Sequence, residues 1–169
     1  LAHRKMISRK LVEVARRSPL FRSVAESQVR RVLRHFHSHH LEKGALLFRA
    51  DQKSRVMYFV VDGKLLVEKM TPQNQVVRIA SLLPGDVVGE VAVLTGERHS
   101  GQVRAMTDTH LAGISRSELQ KVLRRYPDIL YNLTRIEALR LRSNIVRENR
   151  KLHELGFVLH LYCTTAADY

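Results

Sequence analysis

The spacing of apolar positions changes twice along the chain. Ile7, Leu11, Val14 and Ala15 fall on one helical face, and Ser23-x-x-Glu26 has the form of a capping box ahead of Val29, Val32, Leu33 and Phe36. Two helices are therefore expected in residues 1–40. From residue 41 the period shortens to that of strands: Ala45-Leu46-Leu47-Phe48, Val56 to Val61, Leu65-Leu66-Val67, Val76 to Ile79, and Leu82-Leu83. Turn residues separate these runs. Asp62-Gly63 has the form of a tight hairpin turn, and Pro72-Gln73-Asn74 and Pro84-Gly85-Asp86 mark two more reversals. Many short strands at close spacing predict an antiparallel barrel or jelly roll. Helical spacing then returns. Ser115-x-x-Glu118 predicts a capped short helix through Leu123, and Pro127 suits the first turn of a long helix carrying Leu130, Leu133, Ile136, Ala138, Leu141, Ile145, Leu152 and Leu155, with its end expected at Gly156.

One connection inside the strand region differs from the rest. In Gly85-Asp86-Val87-Val88-Gly89-Glu90-Val91-Ala92-Val93-Leu94, small residues lead into a single helical turn. A helix start presents amide N–H groups and a positive dipole end, which favour an anion. Glu90 would repel a phosphate unless its carboxylate accepts from a neighbouring sugar hydroxyl; a ribose phosphate meets both requirements.

Val60-Val61-Asp62-Gly63, then Gly89-Glu90-Val91-Ala92-Val93-Leu94-Thr95-Gly96-Glu97-Arg98-His99-Ser100, then Val103-Arg104-Ala105, resembles the cyclic nucleotide-binding domain family, in particular its bacterial members related to the catabolite activator protein. The resemblance extends over residues 18–155. It implies an α+β fold: an antiparallel, jelly-roll-like β-roll of eight strands, flanked by N-terminal helices and by a C-terminal hinge helix plus a long helix. The corresponding divisions are 1–40 for the N-terminal helices, 41–114 for the roll with its phosphate-binding cassette at 89–101, 115–156 for the C-terminal helices, and 157–169 for a tail leading to an output domain outside this chain. By the same resemblance, Val88, Gly89, Glu90, Val91 and Ala92 surround a cyclic phosphate, Glu90 accepts from the ribose 2′-hydroxyl, Ser100 hydrogen-bonds a phosphate oxygen, and Gly101 closes the cassette. Asn144 on the long helix meets the base. The ligand implied is cAMP, cGMP or a related nucleoside or anionic small molecule, and the implied role is a non-catalytic sensor.

The departure from the family pattern falls at the phosphate. Where the family has an arginine before Ser100, this chain has His99, with Arg98 one residue earlier. Arginine is always charged and binds two oxygens at once, whereas histidine is a single point donor, mostly neutral at pH 7. A charge-assisted hydrogen bond contributes about 1.5–3 kcal/mol, so its loss weakens binding by roughly one to two orders of magnitude. Adjacent residues in extended chain face opposite ways, so Arg98 substitutes for the missing arginine only if the loop shifts register. Gly101 and Gln102 are further departures at the same corner. The alternative is thus a degenerate cassette that binds no cyclic nucleotide and serves as an interaction or dimerisation domain.

Other chemistry has less support. His37-x-His39-x-x-Glu42 is similar to a metal-binding motif of cupins, but no downstream histidine supplies a second motif, so no metal is expected. Gly-x-Ser-x-Gly is absent, Cys163 lacks a persuasive partner, and no enzyme activity is expected. The seam Ala138, Leu141, Ile145, Leu152 and Leu155, interrupted at Glu148, suits either the roll of the same subunit or a homodimer.

Composition changes the picture in one respect. The 169 residues carry 29 Lys+Arg against 16 Asp+Glu, a net charge of +13. Residues 1–40 hold ten basic and two acidic side chains, 41–114 nine and eight, and 115–155 ten and five. The roll is nearly neutral, so phosphate attraction there depends on local dipoles and on Arg98 or His99, while the basic helices suit an acidic protein surface, DNA or anionic lipid. A single cysteine and the lack of a long apolar run predict a cytoplasmic protein. The chain starts at Leu1 rather than Met, and the output domain, whether DNA-binding, channel, kinase or lipid hydrolase, is expected in a longer parent or another chain.

Overall fold

The computed structural model describes residues 8–71, 73 and 75–165, with side chains described as far as residue 146. The chain divides into two units, residues 1–132 and 133–169. In the first unit, α1 (Arg9–Arg17) is capped by Ser8, whose Oγ accepts from the Leu11 amide. A 3-10 turn, Pro19–Phe21, connects it to α2 (Glu26–Leu33). The capping box expected at Ser23 does not form: Ala25 is the N-cap, without a side-chain bond, and Ser23 stands at φ 61°. The approach to α2 is fixed instead by Asn132, a buried residue whose Nδ2 donates to the carbonyls of Leu20 and Arg22.

Eight strands follow: β1 (His37–Leu41), β2 (Leu46–Phe48), β3 (Val56–Asp62), β4 (Leu65–Met70), β5 (Val76–Leu82), β6 (Val87–Val88), β7 (Gln102–Ala105) and β8 (Thr109–Ser115), with α3 (Glu90–Thr95) between β6 and β7. They form two antiparallel four-stranded sheets, ordered β1-β8-β3-β6 and β2-β7-β4-β5. The first strand starts at His37, inside the stretch assigned above to the N-terminal helices; its exposed histidines lie on an edge strand that β8 pairs on one side only. Val76 to Ile79 and Leu82, separate runs in the sequence, belong to one strand.

Asp62-Gly63 is not a hairpin. β3 bonds to β8 and β6, β4 to β7 and β5, so the turn carries the chain from one sheet into the other. The returning corner between β7 and β8 lies beside it: Met106 N donates to Lys64 O at 2.8 Å, and Lys64 N donates to Thr107 Oγ1 at 3.0 Å. The Asp-Gly pair specifies the sharp turn, but which strands pair is decided by long-range partners that a local pattern does not contain.

The core lies between the sheets. Leu41, Val60, Val88 and Leu111 of one meet Phe48, Leu65, Leu82, Val103 and Ala105 of the other. Alternate residues of β3 point outward, yet Met57 and Phe59 are also fully buried, and the Phe59 ring meets Phe21 edge to face at 6.0 Å. Burial on both faces explains why Val56 to Val61 is an unbroken apolar run. Each large side chain so buried contributes about 1.5–3 kcal/mol.

After β8, α4 (Arg116–Arg125) begins at Ser115, whose hydroxyl accepts from the Glu118 amide as the sequence pattern requires. Next, α5 (Pro127–Thr165) has Pro127 and Asp128 in its first turn and runs through Gly156, the expected stop. Glycine costs a helix about 1 kcal/mol relative to alanine; ending it requires a left-handed residue there, and the apolar and aromatic residues that follow continue the helix. In the second unit, Leu141 and Ile145 are 62% and 51% exposed. Leu152, Leu155 and Cys163 lie outside the described side chains. Among the described residues, no helix is long and apolar enough to cross a membrane.

Candidate functional site

The cassette is built from a turn, a short helix and an extended return. The turn Pro84-Gly85-Asp86 is held by Asp86 Oδ2, which accepts from Leu83 N at 2.8 Å, and by Ser18, whose Oγ donates to Gly85 O. β6 then delivers Val88 to the core and Gly89 to the N-cap of α3 at φ 83°. A side chain at Gly89 would be strained in that conformation, and its Cβ would lie 3.1 Å from Val56 O and 3.6 Å from the rings of His99 and Phe48. The first α-helical bond is donated by Val93 to Gly89 O, so the amides ahead of it have no acceptor within the helix. Glu90 and Ala92 are buried on the inner side of α3, whereas Val91 is exposed. Gly96, also left-handed, ends the helix by donating to Ala92 O.

The extended segment ahead of β7 closes on this helix start through His99. Its backbone is clipped to the loop after β2: His99 N donates to Gln52 O at 3.1 Å, and Asp51 N donates to His99 O at 2.8 Å. The imidazole is 6% exposed and lies flat on Phe48, with ring centroids 3.6 Å apart and planes within 7°. Its Nε2 is buried and has no hydrogen-bond partner. Burial lowers its affinity for a proton below the ordinary histidine range. Such an orphaned buried nitrogen costs about 1–3 kcal/mol unless a ligand or water satisfies it.

Arg98 takes the opposite direction, as adjacent residues of an extended chain must: it is exposed, and its Nη1 donates to Asp51 O at 2.7 Å. Ser100 is exposed, and Gly101 packs so tightly on β4 that a Cβ there would stand 2.6 Å from Glu68 O. The structure thus brings Val88, Gly89, Glu90, Ala92 and His99 together as one buried corner, with Val91, Arg98, Ser100 and Gly101 around it. Asn144 is exposed and belongs to the second unit. Phe48 and the clip at Asp51 and Gln52 were not legible in the sequence, because nothing local ties them to residues some fifty positions away.

The β1 histidines make other contacts. His39 lies 5.5 Å from the Tyr58 ring, His40 lies 5.8 Å from His110, and His35, just before the strand, pairs through Nδ1 with Glu118. Among the described residues, no three His, Cys, Asp or Glu side chains group to hold a metal ion.

Residues 38–126, more than half of the chain, match the family model described as the cyclic nucleotide-binding domain. The cyclic AMP receptor protein of Thermus thermophilus is 30% identical over 126 residues, 75% of this chain and 58% of that protein. Human patatin-like phospholipase domain-containing protein 6 is 31% identical over 111 residues, 65% of this chain but 8% of the relative. The crystal structure of the Thermus thermophilus catabolite activator protein superposes with a TM-score of 0.74 at 28% identity, over 78% of this chain and 62% of that one. The chain therefore spans less than two thirds of each relative, and it belongs to the cyclic nucleotide-binding domain family.

Proposed function

We propose that this chain is the sensor module of a larger regulatory protein, that its cassette binds a cyclic nucleotide such as cAMP or cGMP, and that it performs no catalysis itself. The observation that carries the proposal is the corner at Gly89. A glycine-initiated helix turn, the buried Glu90 that follows it and the buried, unpartnered Nε2 of His99 beside it make up that corner, and a ribose phosphate suits all three. Gly89 to Ala92 offer amides to the phosphate, Glu90 accepts from the ribose 2′-hydroxyl, His99 donates to a phosphate oxygen, and Ser100 and Gly101 complete the edge. In this proposal Arg98 acts from outside the corner.

Binding then works as a population shift. A ligand favours whichever arrangement of the chain binds it best, and that bias passes to an output domain in the cytoplasm. The relatives differ in output: one is named a cyclic AMP receptor protein, another a phospholipase domain-containing protein. The exposed Leu141 and Ile145 support pairing of α5 with a second copy.

A second reading rests on His99 itself. The imidazole already stacks on Phe48 and covers the corner without a cation, as a disabled cassette retained for assembly would. Calorimetric titration with cAMP and cGMP separates the two. Binding by the wild-type chain that is lost in Glu90→Ala supports the sensor; absence of binding by both the wild type and His99→Arg refutes it.

A further inference from the structure

In this corner His99 is buried against Phe48, away from solvent, but the proposed ligand is an anion. The geometry points to a proton-coupled site: on ligand binding His99 takes a proton from solvent, and the resulting imidazolium pairs with the phosphate, so that occupancy reports acidity as well as nucleotide. This inference rests on the cassette being a nucleotide site.

Three observations carry it. First, His99 Cε1, the ring carbon bonded to Nε2, lies 3.6 Å from where a Gly89 Cβ would sit, which keeps the orphaned nitrogen within one bond of an atom packed on the N-cap of α3. Second, the neighbouring cation, Arg98, is exposed and engaged with Asp51 O. Adding a phosphate to the corner brings in a negative charge that this guanidinium does not face, and protonation of His99 supplies a positive one. Third, the flat contact with Phe48 offers the face of an aromatic ring, which attracts a cation more than a neutral imidazole.

The surroundings set the direction of the effect. The loop clipped to His99 carries Arg49, Asp51 and Lys53, all exposed to solvent, and Tyr58 of β3 pairs with Val88 at the edge of the corner. Burial lowers the proton affinity of the His99 ring. A cyclic phosphodiester lacks the second phosphate ionisation near pH 6, so a proton taken up on binding belongs to the protein.

The test is calorimetry of the full chain with cAMP and with cGMP, between about pH 5.5 and 8, in buffers of different ionisation enthalpy. The expected result is uptake of nearly one proton per ligand at the alkaline end, with Kd rising about tenfold per pH unit there. His99→Arg is expected to bind without pH dependence, and His99→Gln to bind more weakly with no proton uptake. Wild-type binding that is flat with pH overturns the proton coupling and leaves the sensor reading intact, since a neutral imidazole then donates alone. Binding by His99→Arg but not by the wild type at any pH overturns it too, because His99 then does not serve the phosphate. Binding by neither protein overturns both.

Discussion

Two glycine corners of the roll share one backbone conformation and differ in what surrounds them. Gly63 at φ 87° joins β3 to β4, and Gly89 at φ 83° joins β6 to α3. At Gly63 a Cβ would stand 2.5 Å from Asp108 O and 2.8 Å from Thr109 Cα, and the buried Thr109 hydroxyl donates to Thr107 O at 2.9 Å. That corner is filled, and its buried hydroxyl is satisfied. At Gly89 the contacts are looser and the buried His99 Nε2 lacks a partner. Left-handed glycine alone therefore does not mark a site; an unsatisfied polar atom beside it does.

The largest expected effect comes from testing the filled corner. Gly63→Ala combines left-handed strain of about 1–2 kcal/mol with overpacking of about 1–3 kcal/mol against backbone, which cannot swing away. A fall in Tm of roughly 10 °C is expected by thermal denaturation. Gly89→Ala should cost less, about 1–2 kcal/mol and roughly 5 °C, because its closest contact is 3.1 Å, yet it should abolish binding of cAMP and cGMP in calorimetry. Equal losses of stability at the two positions would erase the distinction between them.

The same contrast explains which parts of the molecule were legible in the sequence. Strand runs, the Ser115 cap and the glycine-led helix of the cassette follow from local chemistry, and all three are present. Ser23 and Asp62-Gly63 carry equally good local signals, but the carbonyls held by Asn132 and the separate pairing of β3 and β4 override them. At the site, His99 stood out in the sequence only as a substitution. Its distinguishing physical property, a ring buried on Phe48 with one nitrogen orphaned, depends on a partner in β2 that no spacing announces. The family pattern located the corner, and packing supplied its chemistry.

His99→Phe satisfies the Gly89 corner by removing its orphan. The ring shape and the stack on Phe48 are kept, and a buried nitrogen without a partner is lost. We expect a gain of about 1 kcal/mol, seen as a Tm a few degrees higher, together with loss of nucleotide binding. A large drop in Tm would mean that the nitrogen is satisfied in solution and that the two corners are alike.

The smallest effect is in the pH dependence of that gain. The His99 pKa is lowered in the folded chain because burial penalises the imidazolium, so below about pH 6.5 the unfolded chain binds a proton that the folded chain refuses. Stability from keeping His99 neutral is complete above the unfolded value and is lost as pH falls toward the folded one. Two carboxylates titrate in a lower window. Asp62, lowered first by its hydrogen bond from Lys10, and Glu118, lowered first by Lys121 and then by His35, lose their contributions only as pH falls through the carboxylate range. Between about pH 6.5 and 5 the wild-type Tm should therefore drop by a degree or two more than that of His99→Phe. Parallel curves across that window would place the His99 ring in water rather than against Phe48, and the Gly89 corner would then lose the feature that sets it apart from the filled corner at Gly63.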